Sequence, residues 1–270
     1  MMTPMVLRTP SVVSLAWALL LAVALAGCDA RHAGPLKGRG SDEWSRSYTL
    51  PSDGELQIVG AAGAIDVQGG AGSTVEVRAE RVVHAASDSA AMSMVPRVRI
   101  GEDIAAGKVV LRSDGLAGIT IGVTIEVNFH ITVPASTRLR LHAAGGDITV
   151  ANVEGAVVVS ATNGAIVGRA LRGGVDARAT NGNIAMDLVE VSKDPVDLRA
   201  VNGEISLTLP ASADANLEAS CTNGTTDIAD LPLQLTGEQS TRRVRGRLNE
   251  GGTPVELTTT NGNIHIRPRP

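Results

Sequence analysis

Val175-Asp-Ala-Arg-Ala-Thr-Asn-Gly-Asn-Ile184 decides the fold, because the chain repeats it. Upstream stand Leu139-Arg-Leu-His-Ala-Ala-Gly-Gly-Asp-Ile148 and Val157-Val-Val-Ser-Ala-Thr-Asn-Gly-Ala-Ile166. Downstream stands Val196-Asp-Leu-Arg-Ala-Val-Asn-Gly-Glu-Ile205. The turn glycines Gly146, Gly164, Gly182 and Gly203 are spaced by 18, 18 and 21 residues. A period near twenty marks stacked units, each too small to bury its own apolar face.

Within a unit the side chains alternate. Val175, Ala177 and Ala179 point one way, and Asp176, Arg178 and Thr180 the other; beyond the turn Ile184, Met186 and Leu188 alternate with Ala185 and Asp187. Period two is a strand with one buried face. Aligning the turn glycines gives columns of like residues: Leu141, Val159, Ala177 and Leu198; Ala143, Ala161, Ala179 and Ala200; Ile148, Ile166, Ile184 and Ile205. The predicted fold is all-β, a single-domain parallel β-solenoid of 18–21-residue rungs, with a less regular N-terminal strand region. Known parallel β-helices make right-handed coiling the expectation. Asn-Gly also favours a two-residue hairpin, which would give an antiparallel meander; the in-phase columns favour the stack. Asn163-Gly164, Asn181-Gly182, Asn202-Gly203, Asn223-Gly224 and Asn261-Gly262 are structural turn candidates. They are expected to supply positive-φ geometry, with their amides stacked.

Outside the repeat, residues 1–27 have the form of a signal peptide. Val12–Gly27 is apolar apart from Ser14, shorter than the roughly 20 residues of a spanning helix. It ends Leu25-Ala26-Gly27-Cys28, which resembles a bacterial lipobox with Cys28 as the lipidated residue. Asp29 resembles an inner-membrane retention signal. Residues 28–43 then form a tether rich in glycine and charge, and the folded domain spans 44–268.

The first unit is predicted at Leu56–Val67, without its asparagine, followed by a strand at Val75–Glu80. Residues 84–94 suggest a short helix capped by Ser87 and stopped by Pro96. Strands are expected at 97–100, 108–112 and 119–133, and an irregular unit at 217–228. Residues 231–252 form an excursion carrying the loop cluster Arg242–Arg247. A last unit at 255–266 ends in Arg267-Pro-Arg-Pro270, which suits a capped edge.

Composition narrows function. Aromatics are 1% of residues, which argues against stacking on sugars or bases. Loss of the leader, whose one charge is Arg8, leaves 23 basic against 28 acidic side chains, a net charge of −5 that disfavours nucleic acid. With Cys28 lipidated, Cys221 is alone and falls in the alanine column. No metal-ligand spacing, nucleophile motif or phosphate loop is present, so catalytic residues, metal and cofactor are all assigned as none. Asp176, Asp197, Glu218 and Glu256 align outward beside Arg178 and Arg199, with His142 and Ser160 in the arginine column. That pattern fits a salt-bridge ladder; the alternative is a carboxylate–arginine site like those of polysaccharide-cleaving β-helices. Arg178, Asp197 and Arg199 are therefore the candidate surface-binding residues.

The lipobox, the Thr-Asn-Gly-x-Ile rungs, Leu207–Pro210 and the terminal Thr259–Ile266 together resemble the bacterial putative-adhesin family of unknown function, across roughly 45–268. The resemblance implies a β-strand-repeat envelope protein and brings no catalytic residues. The expected protein is a non-catalytic, lipid-anchored binding or scaffold module of the cell envelope. Its partners would be the membrane through its lipid, and an envelope protein or polysaccharide. An envelope-stress or signalling accessory role and a polysaccharide-active enzyme are the alternatives.

Overall fold

The computed structural model describes residues 37–113, 122–237 and 240–270. The predicted signal peptide, Cys28, Asp29 and the tether as far as residue 36 lie outside them. The first strands are β1 (Gly38–Thr49), β2 (Glu55–Ala61), β3 (Ile65–Gly70) and β4 (Thr74–Ala85). A helix, α1 (Asp88–Met94), and a 3-10 turn at Val95–Arg97 precede β5 (Ile100–Ala105), β6 (Lys108–Ser113) and β7 (Thr124–Pro134). The quoted repeat supplies four strand pairs: β8 (Arg138–Gly145) with β9 (Ile148–Ala151), β10 (Val157–Asn163) with β11 (Ile166–Leu171), β12 (Val175–Asn181) with β13 (Ile184–Leu188), and β14 (Val196–Asn202) with β15 (Ile205–Leu209). The remaining strands are β16 (Ala215–Asn223), β17 (Thr226–Ile228), β18 (Leu233–Leu235), β19 (Arg243–Leu248), β20 (Thr253–Asn261) and β21 (Ile264–Pro268).

The two strands of a unit enter different sheets. One sheet has the order β1-β4-β7-β3-β9-β11-β13-β15-β21-β17, and the other β18-β19-β16-β20-β14-β12-β10-β8-β2-β6-β5. The fold is all-β and solenoid-like, with two mixed sheets that end in open edges. Asn-Gly therefore does not close a hairpin: β12 and β13 flank Asn181-Gly182 yet belong to different sheets. Successive units pair in parallel and in phase, Val157 beside Val175 and Val175 beside Val196, with Ile166 beside Ile184 and Ile184 beside Ile205. Antiparallel strands extend the stack at both ends, as β1-β4-β7, β5-β6 and β18-β19-β16.

The core lies between the sheets and is built from the predicted columns. Ile148, Ile166, Ile184, Ile205 and Ile264 are buried, and each contributes roughly 1.5–3 kcal/mol. The alanine column continues through Thr259 and Cys221, both buried. Thr259 satisfies its hydroxyl by donating to the Gly203 carbonyl at 2.9 Å.

The last unit is not the end cap that the terminal Arg-Pro-Arg-Pro suggests. β20 lies between β14 and β16, and β21 between β15 and β17. The unit at 215–228, earlier in sequence, stacks outside it. Arg267 ion-pairs with Asp227, and Arg269 with Asp187 at 3.2 Å, so the terminal cations lie against neighbouring units.

The turns correct the expectation about asparagine. None of the five turn asparagines has positive φ. Their amides instead form a ladder: Asn181 donates to Asn163, Asn202 to Asn181, Asn261 to Asn202 and Asn223 to Asn261, at 2.7–2.9 Å. The glycines answer chiefly to close approach. A Cβ on Gly182 would sit 2.0 Å from the Gly164 carbonyl oxygen, and one on Gly203 or Gly262 would meet the preceding rung equally closely.

At the N-terminal end the strand begins at Gly38, six residues before the expected domain start at Trp44. A Cβ on Gly38 would meet the Ser87 backbone and one on Gly40 the Met92 backbone, so these glycines let β1 lie against α1. The helix starts at Asp88, and His84 and Ala85 complete β4. Ser87 caps it as expected, its hydroxyl accepting from the Ala90 amide at 3.3 Å. The strand expected at 97–100 runs instead over β5.

Candidate functional site

Alternation directs every second residue of β12, β14, β20 and β16 away from the core, and the register sets these residues side by side. Asp176 neighbours Asp197, Asp197 neighbours Glu256, and Glu256 neighbours Glu218. The next outward row runs His142, Ser160, Arg178, Arg199, Thr258, Ser220. The structure thus brings together the three candidates Arg178, Asp197 and Arg199.

The two arginines of the second row pair with three acids of the first. Arg178 contacts Asp176 at 2.9 Å and Asp197 at 3.5 Å. Arg199 contacts Asp197 at 2.7 Å and Glu256 at 3.5 Å. The bond from Asp197, with its charge, raises the Arg199 pKa further. His142 Nδ1 lies 2.8 Å from the Ser160 hydroxyl. The guanidiniums are about half exposed, Arg178 at 50% and Arg199 at 49%, so each pair contributes under about 1 kcal/mol. All four acids of the row are engaged with arginines, an arrangement suited to a rigid patterned surface.

The Arg242–Arg247 cluster is not a loop. Arg243–Leu248 is β19, and its alternation of Arg, Val, Arg, Gly, Arg and Leu is the period-two signal that could have shown it. Arg243 and Arg245 both reach Glu218 Oε1 at 2.7 Å, and Arg247 donates to the Gln234 side chain at 2.9 Å. Bonds from Arg245 and then Arg243 hold the Glu218 carboxyl below its ordinary range. A depressed pKa gives stability above the unfolded value that is lost as pH falls through the folded one. Glu218→Gln is therefore expected to lower the melting temperature slightly at pH 7, by an amount that shrinks as the pH is taken down through and below the ordinary carboxylate range; a series of thermal melts against pH checks this.

Cys221 is buried, as its place in the alanine column implies, and forms no disulfide among the described residues. Among the described residues no group of three or more His, Cys, Asp or Glu side chains could hold a metal ion. Nor is any described helix long and apolar enough to cross a membrane.

These features define a class: a strand-repeat β protein that displays ordered rows of paired charge on one sheet. The chain belongs to the Toastrack DUF4097 family, which matches residues 49–267. Among solved structures it is similar to a putative cell adhesion protein from Clostridium sporogenes, with 11% identity, a TM-score of 0.49, and coverage of 85% of this chain and 100% of that one. It is also similar to a putative adhesin from Bacteroides fragilis, with 10% identity, a TM-score of 0.39, and coverage of 84% and 97%. No curated protein matches the chain.

Proposed function

We propose that this protein is a non-catalytic, lipid-anchored module of the cell envelope, a β-solenoid of 18–21-residue rungs that binds or scaffolds a partner through its outer sheet face. The observation that carries this reading is the mutual pairing of the outward acids and arginines. An enzyme that cleaves polysaccharide needs an acid available to protonate a leaving group; Asp176, Asp197, Glu218 and Glu256 are each tied to an arginine. Replacing Asp197 and Arg199 together by alanine is expected to leave any cleavage assay unchanged; loss of a measurable cleavage would restore the enzyme reading.

Anchoring rests on Leu25-Ala26-Gly27-Cys28, and Asp29 favours the inner membrane. Cys28→Ser is expected to move the protein from the membrane fraction to the soluble fraction; unchanged membrane retention would remove the lipid anchor. The partner is sought by crosslinking in cells, separating inner and outer membranes, and capturing the anchored protein. One recurring envelope protein supports the scaffold or signalling roles. Retention on cell-wall polysaccharide alone supports an adhesin.

A further inference from the structure

Two adjoining cavities open on the outer face of the larger sheet, where its parallel strands begin. The first, of about 480 Å³, is lined by Val158, Pro195 and Pro254 and by Asp176, Asp194 and Glu256, and its lining holds no cation. The second, of about 600 Å³, shares Pro254 and Glu256 with it and adds Leu217, Leu235 and Arg247. Both fall within the range of ligand pockets. Together they form a trough crossing β10, β12, β14, β20, β16 and β19. Five inter-strand steps of about 4.8 Å give a length near that of about seven extended residues, room for a six-residue segment.

The trough has opposite charge at its two ends. Arg178 and Arg199 pair with Asp176, Asp197 and Glu256, two cations against three acids, and Asp194 is exposed and forms no ion pair among the described residues. Asp176 Oδ1 is shielded from solvent and has no hydrogen-bond partner among the described residues. At the other end Arg247 bonds Gln234 and has no carboxylate partner among the described residues. Beside it Leu235 is 60% exposed, a large apolar side chain left uncovered on the short edge strand β18.

We propose that this trough binds an extended segment of a partner protein. A lysine or arginine sits at the Asp194 end, its aliphatic stem against Val158 and Pro195. An apolar residue covers Leu235, and an acidic residue meets Arg247. The inference rests on the binding-module reading and names the chemistry of the partner.

The test uses the full chain and fluorescein-labelled, end-blocked hexapeptides read by anisotropy. The probe is Lys-Ala-Ala-Leu-Ala-Glu; its two controls carry lysine at both ends or glutamate at both ends. The dipolar peptide is expected to bind tightest. Asp194→Arg is expected to shift preference to the doubly acidic peptide, and Arg247→Glu to the doubly basic one, by about tenfold each. Both residues are exposed, so thermal melts of the variants verify an unchanged fold. Equal binding of all three peptides, no detectable binding, or displacement by spermidine as effective as by the dipolar peptide would overturn the proposal. A partner captured in cells that still binds the Asp194→Arg, Arg247→Glu double variant would also overturn it, while leaving the binding-module reading intact.

Discussion

Ile184→Asp is expected to unfold the domain. Ile184 is fully buried and stands third in the isoleucine column, between Ile166 and Ile205. An aspartate there must bury its charge or take up a proton, and it loses the isoleucine packing in either case. The combined cost is expected to exceed about 4 kcal/mol, in the range where a domain of ordinary stability no longer folds. Its neighbour supplies the control. Ala185 faces outward and is half-buried, so Ala185→Asp should cost about 1 kcal/mol or less. Circular dichroism melts of the two variants give the comparison. Equal effects would mean that the buried and exposed faces of β13 are misassigned.

Gly182→Ala is expected to be nearly as damaging, although alanine adds a single methyl. The new Cβ would lie 2.0 Å from the Gly164 oxygen and 2.6 Å from its carbonyl carbon, both backbone atoms of the preceding rung. Neither can swing aside as a side chain would. The two rungs must separate locally, which breaks or strains the bond from the Gly164 amide to the Asn181 carbonyl between them. The expected loss is about 3 kcal/mol. A methyl group on Gly72 would have nothing within 4 Å, so alanine there should change stability by no more than about 0.5 kcal/mol. Denaturant midpoints of the two variants check the contrast.

The stack was legible because its evidence is periodic. Each column repeats one residue type at one phase, and burial of Leu141, Ala161, Ile184 and Leu198 follows from that alone. The order of the last two units was not legible. Val255, Leu257 and Ile264 match the columns as well as Leu217 does, so local pattern identifies a rung without naming its neighbour. β1 was hidden for a different reason. Gly38 and Gly40 resemble linker glycines, yet they are required by contact with α1, an element about fifty residues away in sequence. The asparagines were partly legible: their stacking was foreseen, while the positive φ expected of them was not found. The charged face was foreseen as a set of residues, but its trough depends on β18 and β19 folding back beside β16, which no single unit encodes.

The displaced position of the final unit has a consequence for how the protein is made. β16 has β20 as its only parallel neighbour among the described residues, and β17 pairs only with β21. Residues 253–268 leave the ribosome, and any export channel, after both β16 and β17. Until then, residues 215–248 have no docking surface of their own, and the free edge of β14 and β15 waits for a later arrival. Assembly therefore cannot proceed as a simple zipper from one end of the chain to the other. The gap between β14–β15 and β16–β17, near one end of the stack, is closed last, by the C-terminal segment acting as a keystone, and any chain cut short before residue 253 would carry an unattached hairpin and two raw sheet edges.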